Sequence, residues 1–349
     1  MAVEKSYFGK FDDVEIYQYT MSNGNAAVGI IDRGATIRSI VVPDKCGNLV
    51  DVALAYDKPE SYKANSAYFG NAIGRYANRL EDARFELGGK IYTLGKNDGR
   101  NSLHGGGALG FDKKTWDVEV VNEGDEPELK FSLFSPDGEA GYPGNLNVEI
   151  TYKLTNKNGL VINYNAVSDA DTVLNLTNHS YFNLGGHDSG AIDNQILQMN
   201  CSFYTPNSDE CMPYGEIRSV KGTAFDFTTP KTFGEAFAQE DEQTAKFNGF
   251  DHSFVIDGRG FRRFAVAHNP ENGICMECFT DKPGVQLYSG CTLDCAEGKS
   301  GAHYGFHGAF CLETQYFPNS MKYAHFPSPI LKANEKYDFT TEYRFSIKK

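Results

Sequence analysis

The sequence predicts an all-β fold, a large antiparallel β-sandwich with very little helix. Residues that favour half-buried pleated surfaces are abundant, with 25 Phe and 20 Tyr. Apolar and polar residues alternate in many short runs, and Gly, Asn and Asp separate these runs as turn residues do. Many short strands at near-regular spacing are typical of a β-sandwich or barrel.

The clearest single element is the run 146–154, LNVEITYKL. Its apolar residues, beginning with Leu146, Val148 and Ile150, fall on one face, and the polar residues fall on the other, as in a half-buried antiparallel strand. Seven further runs are predicted as strands, in chain order 26–32, 36–42, 116–121, 128–134, 160–167, 263–267 and 339–347. Helical periodicity is scarce, and the best helix candidate is short, at 232–239.

The chain of 349 residues is long enough for one large domain or two ordinary ones. No linker rich in Ser, Pro or Gly divides it, and no internal repeat is evident. All-β domains of this size range occur as single units, so residues 1–349 are predicted to form one domain.

The formal net charge of −13, with no cluster of Lys and Arg, excludes a nucleic-acid binder and disfavours an anionic membrane surface. No apolar run approaches the roughly 18 residues of a spanning helix, and the N-terminal stretch lacks the apolar core of a secretory signal. The eight cysteines are too sparse for a disulfide scaffold. We therefore expect a cytoplasmic protein with reduced thiols, a monomer or weak homodimer.

Three motifs resemble cofactor or metal sites but lack the context these sites need. The glycine-rich run 105–110 precedes a strand-like segment rather than the helix of a dinucleotide site. Cys275 and Cys278 lie in a strand-like run that would point them to opposite faces. His303 and His307 lie in a segment too rich in glycine for a stable helix. No metal and no cofactor is predicted.

A row of hydrogen-bonding residues interrupts the apolar segment 173–184, VLNLTNHSYFNL. If the segment is extended, alternate positions from Asn175 through His179 and Tyr181 to Asn183 share one face. Burying such a row without partners costs a few kcal/mol per group. The row is either a structural hydrogen-bond network or the wall of a site for a polyhydroxylated ligand.

Other polar groups stand in equally unusual surroundings. Glu313 lies in the apolar run FCLETQYFP, where an unpaired charge is costly and suggests a partner or a task. Arginine presents a rigid fork of donors suited to paired oxygens. The remaining candidates, each more readily structural than functional when taken alone, are Asn78, Arg79, His104, Asp251 and Gln286.

Taken together, these segments resemble the aldose 1-epimerase (galactose mutarotase) family. The resembling blocks follow the family's order and span most of the chain: GRYANRL (74–80), SLHGG (102–106), GFDKKTW (110–116), TNHSYFNLGG (177–186), GFDHSF (249–254), GVQLYSG (284–290) and ETQYFPNS (313–320). The resemblance implies a large antiparallel β-sandwich of the galactose mutarotase type with an open cleft. It implies an isomerase of free aldoses such as galactose and glucose that needs no cofactor.

The resemblance also implies roles for individual residues. Glu313 is similar to the family's general base and His179 to its general acid, and we expect their proximity to favour an ionised pair. Ser180 is expected to face away from His179. The positions similar to sugar-contacting residues are Asn78, Arg79, His104, Tyr181, Asp251 and Gln286.

Three alternative functions stay open at this stage. A non-catalytic carbohydrate-binding protein on the same fold would lack the acid or the base, and here both are present. A glycoside hydrolase would use two carboxylates, for instance Asp251 and Glu313, as acid and base. A hexose 6-phosphate 1-epimerase would favour additional Arg or Lys in the cleft, which the acidic composition does not support.

Overall fold

The computed structural model describes residues 2–63 and 67–348, and most of its regular structure is antiparallel strand. Numbered along the chain, its strands are β1 (Val3–Phe11), β2 (Val14–Ser22), β3 (Ala27–Ile31), β4 (Thr36–Pro43), β5 (Leu49–Asp51), β6 (Ala72–Ile73), β7 (Arg79–Leu80), β8 (Arg84–Leu87), β9 (Lys90–Thr93), β10 (Ser102–Leu103), β11 (Asp117–Asn122), β12 (Glu128–Ser135), β13 (Leu146–Leu154), β14 (Gly159–Ser168), β15 (Thr172–Val173), β16 (Thr177–Asn178), β17 (Tyr181–Phe182), β18 (Ile196–Met199), β19 (Phe203–Thr205), β20 (Arg218–Ser219), β21 (Lys231–Thr232), β22 (Asp251–Val255), β23 (Arg262–His268), β24 (Ile274–Thr280), β25 (Gly284–Tyr288), β26 (Phe310–Gln315), β27 (Ile330–Leu331) and β28 (Lys336–Ile347). The described α-helices are α1 (Phe233–Ala238) and α2 (Glu242–Phe247). Short 3-10 turns lie at Pro59–Tyr62, Glu81–Ala83, Gly107–Leu109, Phe111–Lys113, Glu139–Gly141 and Lys299–Gly301.

The predicted elements are confirmed. The eight predicted strands correspond to β3, β4, β11, β12, β13, β14, β23 and β28, and the predicted helix at 232–239 is α1. Helix α2 was not predicted, because six residues with apolar side chains only at Ala245 and Phe247 carry no measurable period. Its start is set by Asp241, whose side chain accepts a hydrogen bond from the Gln243 backbone N–H.

Three large sheets build the sandwich. The first has the order β1-β2-β3-β4-β5, the second β11-β12-β13-β14-β28-β24-β23-β18-β21, and the third β17-β26-β25-β22-β19-β20. Every pair within these sheets is antiparallel. The all-β sandwich that the sequence predicts is therefore the observed fold.

The main core lies between the nine-stranded sheet and the other two. One contiguous cluster includes Ile40 of the first sheet, Ile150 and Tyr343 of the second, and Phe254 and Leu312 of the third. The Tyr343 hydroxyl donates to the Leu312 carbonyl oxygen at 2.7 Å and so ties the second sheet to the third. Since apolar residues fill one face of the third sheet, its opposite face is left for other side chains.

The polar segment 173–184 is not one continuous strand. It contributes three separate two-residue strands, β15, β16 and β17, that pair with three different partners. Asn175 donates to the Ala77 carbonyl oxygen, and Asn183 donates to the carbonyl oxygens of Gly190 and Gly308. The expectation of a single polar face is therefore wrong, because the amides of Asn175 and Asn183 bond to separate backbone carbonyl groups.

In the run 105–110, glycine is required by backbone geometry. Gly105 has a φ of +89°, and a Cβ there would lie 2.0 Å from the Gly74 carbonyl oxygen, so no other residue fits. All eight cysteines lie within the described residues and carry free thiols. Among the described residues, none of the helices has the length and apolar character needed to cross a membrane.

Candidate active site

A cleft of about 380 Å³ opens beside the third sheet. Seven of the eight predicted site residues line it: Asn78, Arg79, His104, His179, Tyr181, Asp251 and Glu313. The other lining residues, which the sequence did not single out, are Tyr56, Ala67, Tyr68, Leu103, Tyr288, Thr292, Leu293, Asp294 and Cys295. The aromatic walls are thus tyrosines, while Trp116 is buried against Phe111 elsewhere.

Three neighbouring strands carry the acidic and amide groups of the site. On β26 the apolar Leu312 enters the main core, and the alternation of the strand turns Glu313 to the cleft. Gln286 of β25 is the register partner of Glu313, and Ser253 of β22 is the register partner of Gln286. The register of three antiparallel strands therefore holds these side chains on one face.

The eighth predicted residue, Gln286, reaches the site through Asp251. Its Nε2 donates to Asp251 Oδ1 at 2.7 Å. The thiol of Cys211 lies 3.1 Å from Asp251 Oδ2, and Arg79 Nη1 lies 3.9 Å from the same oxygen. Arg79 also donates from Nε to Asp98 at 2.6 Å. Asp251 is therefore tied by an amide, a thiol and a guanidinium, as a fixed acceptor for a ligand would be.

His179 stands between aromatic rings at the floor of the cleft. The ring of Tyr181 stacks on it at 5.1 Å between centroids, and the ring of Tyr68 stacks at 5.9 Å. Nε2 of His179 lies 3.6 Å from Oε1 of Glu313. Both residues are almost fully buried, so the two titratable groups face each other with little solvent between them.

Two loop residues hold each other in the left-handed region. Asn78 has a φ of 63° and His104 a φ of 51°, which costs non-glycine residues roughly 1 kcal/mol or more each. The Asn78 backbone N–H donates to His104 Nδ1 at 3.2 Å, and the His104 N–H donates to the Asn78 carbonyl oxygen at 3.1 Å. Neutral His104 therefore carries its ring proton on Nε2 and is a hydrogen-bond donor.

Two buried acceptor atoms at the site lack hydrogen-bond donors in the part of the chain that the structure describes. Among the described residues, Oε2 of Glu313 and Oε1 of Gln286 have no hydrogen-bond partner, and each atom exposes less than 1 Å². Leaving a buried acceptor unpaired costs about 1–3 kcal/mol. A ligand rich in hydroxyl groups would supply the missing donors.

Comparison with known proteins decides the family. The family model for aldose 1-epimerase matches residues 17–344. The chain belongs to the aldose 1-epimerase family. It is accordingly an isomerase acting at the anomeric carbon of aldoses.

Relatives match over nearly the whole length of the chain. Galactose mutarotase of Bos taurus is 42% identical, covering 95% of this chain and 94% of the relative. Aldose 1-epimerase of Escherichia coli K12 is 35% identical, covering 93% of each. The crystal structure of galactose 1-epimerase from Lactobacillus acidophilus superposes with a TM-score of 0.87 at 29% identity, covering 99% of each chain.

Burial sets the protonation state of the epimerase's central pair. It raises the pKa of Glu313 well above its usual value, and the charge of Asp251 adds to that shift. It lowers the pKa of His179 to about 4. The expectation that proximity favours the ionised pair is therefore wrong for the free site, because desolvation outweighs the attraction across 3.6 Å. Both shifts favour the neutral forms of Glu313 and His179 in the free site.

The same side chains have the spacing of a metal site. Ligand atoms of His104, His179 and Glu313 lie within 4.8 Å of one another. However, Nδ1 of His104 already accepts a backbone N–H, so its Nε2 carries a proton and offers no lone pair. The arrangement therefore suits a ligand oxygen better than a metal ion.

Tyr68 is the functional candidate that the sequence concealed. It lies outside every resembling block, yet it contacts both histidines, with a centroid distance of 4.6 Å to His104. Burial raises its pKa to about 12, so the phenol stays neutral. With a φ of 56°, Tyr68 is another residue of the cleft in the left-handed region. Ser180, as expected, lies outside the cleft lining, and its hydroxyl donates to Asn178.

Proposed function

We propose that this epimerase interconverts the α and β anomers of free aldohexoses such as galactose and glucose, with Glu313 as general base and His179 as general acid. The observation that carries the assignment is the buried Glu313 carboxyl, whose Oε1 faces His179 Nε2 while its Oε2 lacks a donor. A sugar hydroxyl at C1 would supply that donor.

The reaction needs only the transfer of protons. Glu313, as carboxylate, removes the proton from the C1 hydroxyl, a carbonyl forms at C1, and the bond from C1 to the ring oxygen breaks. The ring oxygen takes the electron pair and a proton from Nε2 of the His179 imidazolium. After rotation about the C1–C2 bond, the ring oxygen attacks the other face of C1, and both protons return.

The neutral resting pair and the reactive ion pair contain the same single proton. Binding of the sugar therefore has to lower the proton affinity of Glu313 and raise that of His179, with no net uptake or release of protons. Hydroxyl donors to Glu313 Oε2 favour its carboxylate form, because hydrogen bonds to a charged form stabilise it. The sugar thus supports the ionised state that the empty site disfavours.

The rest of the cleft suits an uncharged hexose. Arg79 and Asp251 address vicinal hydroxyls with donors and acceptors, and His104 donates from Nε2. Asn78, Tyr181 and Gln286 complete the proposed set of sugar contacts. Within the described lining, Arg79 is the one basic residue other than histidine, and it is already paired with Asp98 and Asp251. This pairing argues against a hexose 6-phosphate.

We also propose a single domain over 1–349, because one core cluster draws on all three sheets. Eight free thiols support a reducing, cytoplasmic compartment. A monomer or weak homodimer is the oligomeric state we propose.

The test is polarimetry on freshly dissolved α-D-galactose and α-D-glucose. We expect the wild type to speed equilibration in proportion to its concentration and Glu313→Gln to lower kcat by about 10²–10⁴-fold. The matched control is Glu342→Gln, the same change at a buried glutamate of β28 outside the cleft lining.

Two results would contradict the proposal. If wild-type protein leaves the spontaneous rate unchanged for both sugars, a non-catalytic sugar-binding role takes its place. If Glu313→Gln keeps the activity of the Glu342→Gln control, the base assignment fails.

A further inference from the structure

A single strand contacts both nitrogens of the His179 ring. On β26, Cys311 and Glu313 are two residues apart and therefore on the same face. The sulfur of Cys311 lies 3.7 Å from His179 Nδ1, and Oε1 of Glu313 lies 3.6 Å from Nε2. The acid proposed for the reaction is thus held between a thiol and the proposed base.

The sheet register fixes this placement. Cys311 is the register partner of Tyr181 on β17 and of Tyr288 on β25, and Tyr181 is the residue that stacks on His179. The thiol is fully buried in a second apolar cluster that also contains Tyr181. Burial raises its pKa, so sulfur keeps its proton at neutral pH.

We propose that Cys311 is a positioning residue for His179, with its S–H donating to Nδ1 so that the neutral ring carries its proton on Nε2, opposite Glu313. The inference rests on the proposed function of His179 as the acid. The carbonyl oxygen of His179 is a rival partner for the ring: it accepts the Gly70 N–H at 3.0 Å and keeps a second lone pair, which would favour the Nδ1–H tautomer instead. A measurement of the ring tautomer distinguishes the two.

A thiol suits this task because it forms weak hydrogen bonds and can act as donor or as acceptor. While His179 is neutral, Nδ1 accepts from the S–H; when His179 is protonated, Nδ1–H donates to a sulfur lone pair. A carboxylate at the same place would stabilise the imidazolium and make it a poorer acid. The thiol holds the ring without that penalty.

Other titratable groups around His179 leave the role of Cys311 distinct. The acidic side chains are Glu313 and Asp251, and the guanidinium of Arg79 pairs with Asp251. His104 has its own fixed tautomer. The phenols on either side, Tyr68 and Tyr181, stack on the ring by their faces. Contact with Nδ1 comes from Cys311.

The first readout is the tautomer, measured by ¹⁵N chemical shifts of the His179 ring at pH 7 in histidine-labelled protein. The His179→Asn spectrum identifies its signals. We expect Nε2–H in the wild type and a mixture of tautomers in Cys311→Ala. The matched control is Cys278→Ala, which removes a fully buried thiol from β24 in the main core.

The second readout is kinetic. We expect Cys311→Ala to lower kcat about tenfold or more with little change in KM, because a misaligned acid affects the chemical step rather than sugar binding. Cys311→Ser, which restores a hydroxyl donor, should recover part of the loss. Cys278→Ala should keep wild-type kcat.

The inference is overturned by an Nδ1–H tautomer in the wild type. It is also overturned if Cys311→Ala leaves both the ring signals and kcat unchanged while Glu313→Gln remains inactive, a result that keeps the proposed function. An active Glu313→Gln, by contrast, removes the proposed function whatever Cys311 does.

Discussion

At the scale of single residues, the proposed reaction depends on the one titratable proton held by the buried pair Glu313 and His179. In the proposed mechanism, ring opening needs one titratable proton on Glu313 and His179 together, so activity should fall when the pair gains a second proton or loses its only one. Since burial lowers the pKa of His179 to about 4 and raises that of Glu313, the pair keeps one proton over a wide range of pH.

The pH profile of kcat/KM should therefore be broad, with its acid limb near pH 4 rather than near 6.5. The negative charge of Asp251 raises the pKa of Glu313 and also that of His179. Asp251→Asn should consequently move both limbs to lower pH. Polarimetric rates across the pH range measure this shift.

The matched control is Asp13→Asn, the same change at an aspartate whose side chain is 98% exposed. Its limbs should coincide with those of the wild type. Movement of either limb of Asp251→Asn to higher pH would contradict the electrostatic account.

Most of the residues that the sequence singled out line one cleft, but the sequence did not predict the detailed contacts there. Residues within recognisable blocks, such as Glu313 and His179, stood out because polar groups in apolar surroundings need a reason. Tyr68 and Cys311 carry no such signal, since tyrosine and cysteine are common in protein interiors. Their contacts arise from strand register and from a left-handed turn, which sequence patterns do not encode.

At the scale of elements, periodicity was informative where one partner sheet covered a whole strand. β13 alternates over nine residues because it buries one complete face. The segment 173–184 gave a misleading pattern, because its amides bond to separate backbone groups instead of forming one surface. Helix α2 is too short for its period to be read.

Helix α1 packs against strand β26, which carries Glu313. Phe233 at its start packs against Phe310 of β26 at 5.2 Å between ring centroids, next to Cys311. Thr232 accepts the Glu235 N–H at 3.1 Å, and the Glu235 side chain accepts the Thr232 N–H at 2.8 Å, a complete capping box.

Thr232→Ala should therefore lower the free energy of unfolding by about 1 kcal/mol, measured by urea titration. Thr232→Ser keeps the hydroxyl acceptor and should lose much less. The kcat of folded protein should not change in either variant, because Thr232 lies outside the cleft lining. An equal loss of stability in both variants would show that the methyl group, not the cap, matters.

At the scale of the whole molecule, the burial of a histidine next to the site makes the stability of the fold depend on pH. His252 links helix α2 to the site: its Nε2 lies 3.1 Å from Gln243 Oε1, and its Nδ1 accepts the Asp251 N–H at 3.1 Å. Burial lowers the pKa of His252 to about 3. The folded protein therefore keeps this ring neutral where an unfolded chain would protonate it.

Below about pH 6.5 the unfolded chain binds a proton at His252 that the folded chain does not bind until near pH 3, so this residue lowers stability as the pH falls. Between pH 7.5 and 5 the loss should amount to about 2 kcal/mol. In His252→Gln, which keeps a polar side chain, this loss disappears, so the wild type should lose about 2 kcal/mol more than the variant over that range.

Urea unfolding of both proteins from pH 8 to pH 5 measures the difference. Asp32, whose pKa burial raises to about 6, acts with the opposite sign, but it is present in both proteins and cancels in the comparison. At pH 8 the ring is neutral in both states, so the difference there is the cost of the substitution itself. Parallel curves down to pH 5 would mean that His252 is protonated in the folded protein, and that its Nδ1 does not accept the Asp251 N–H as described.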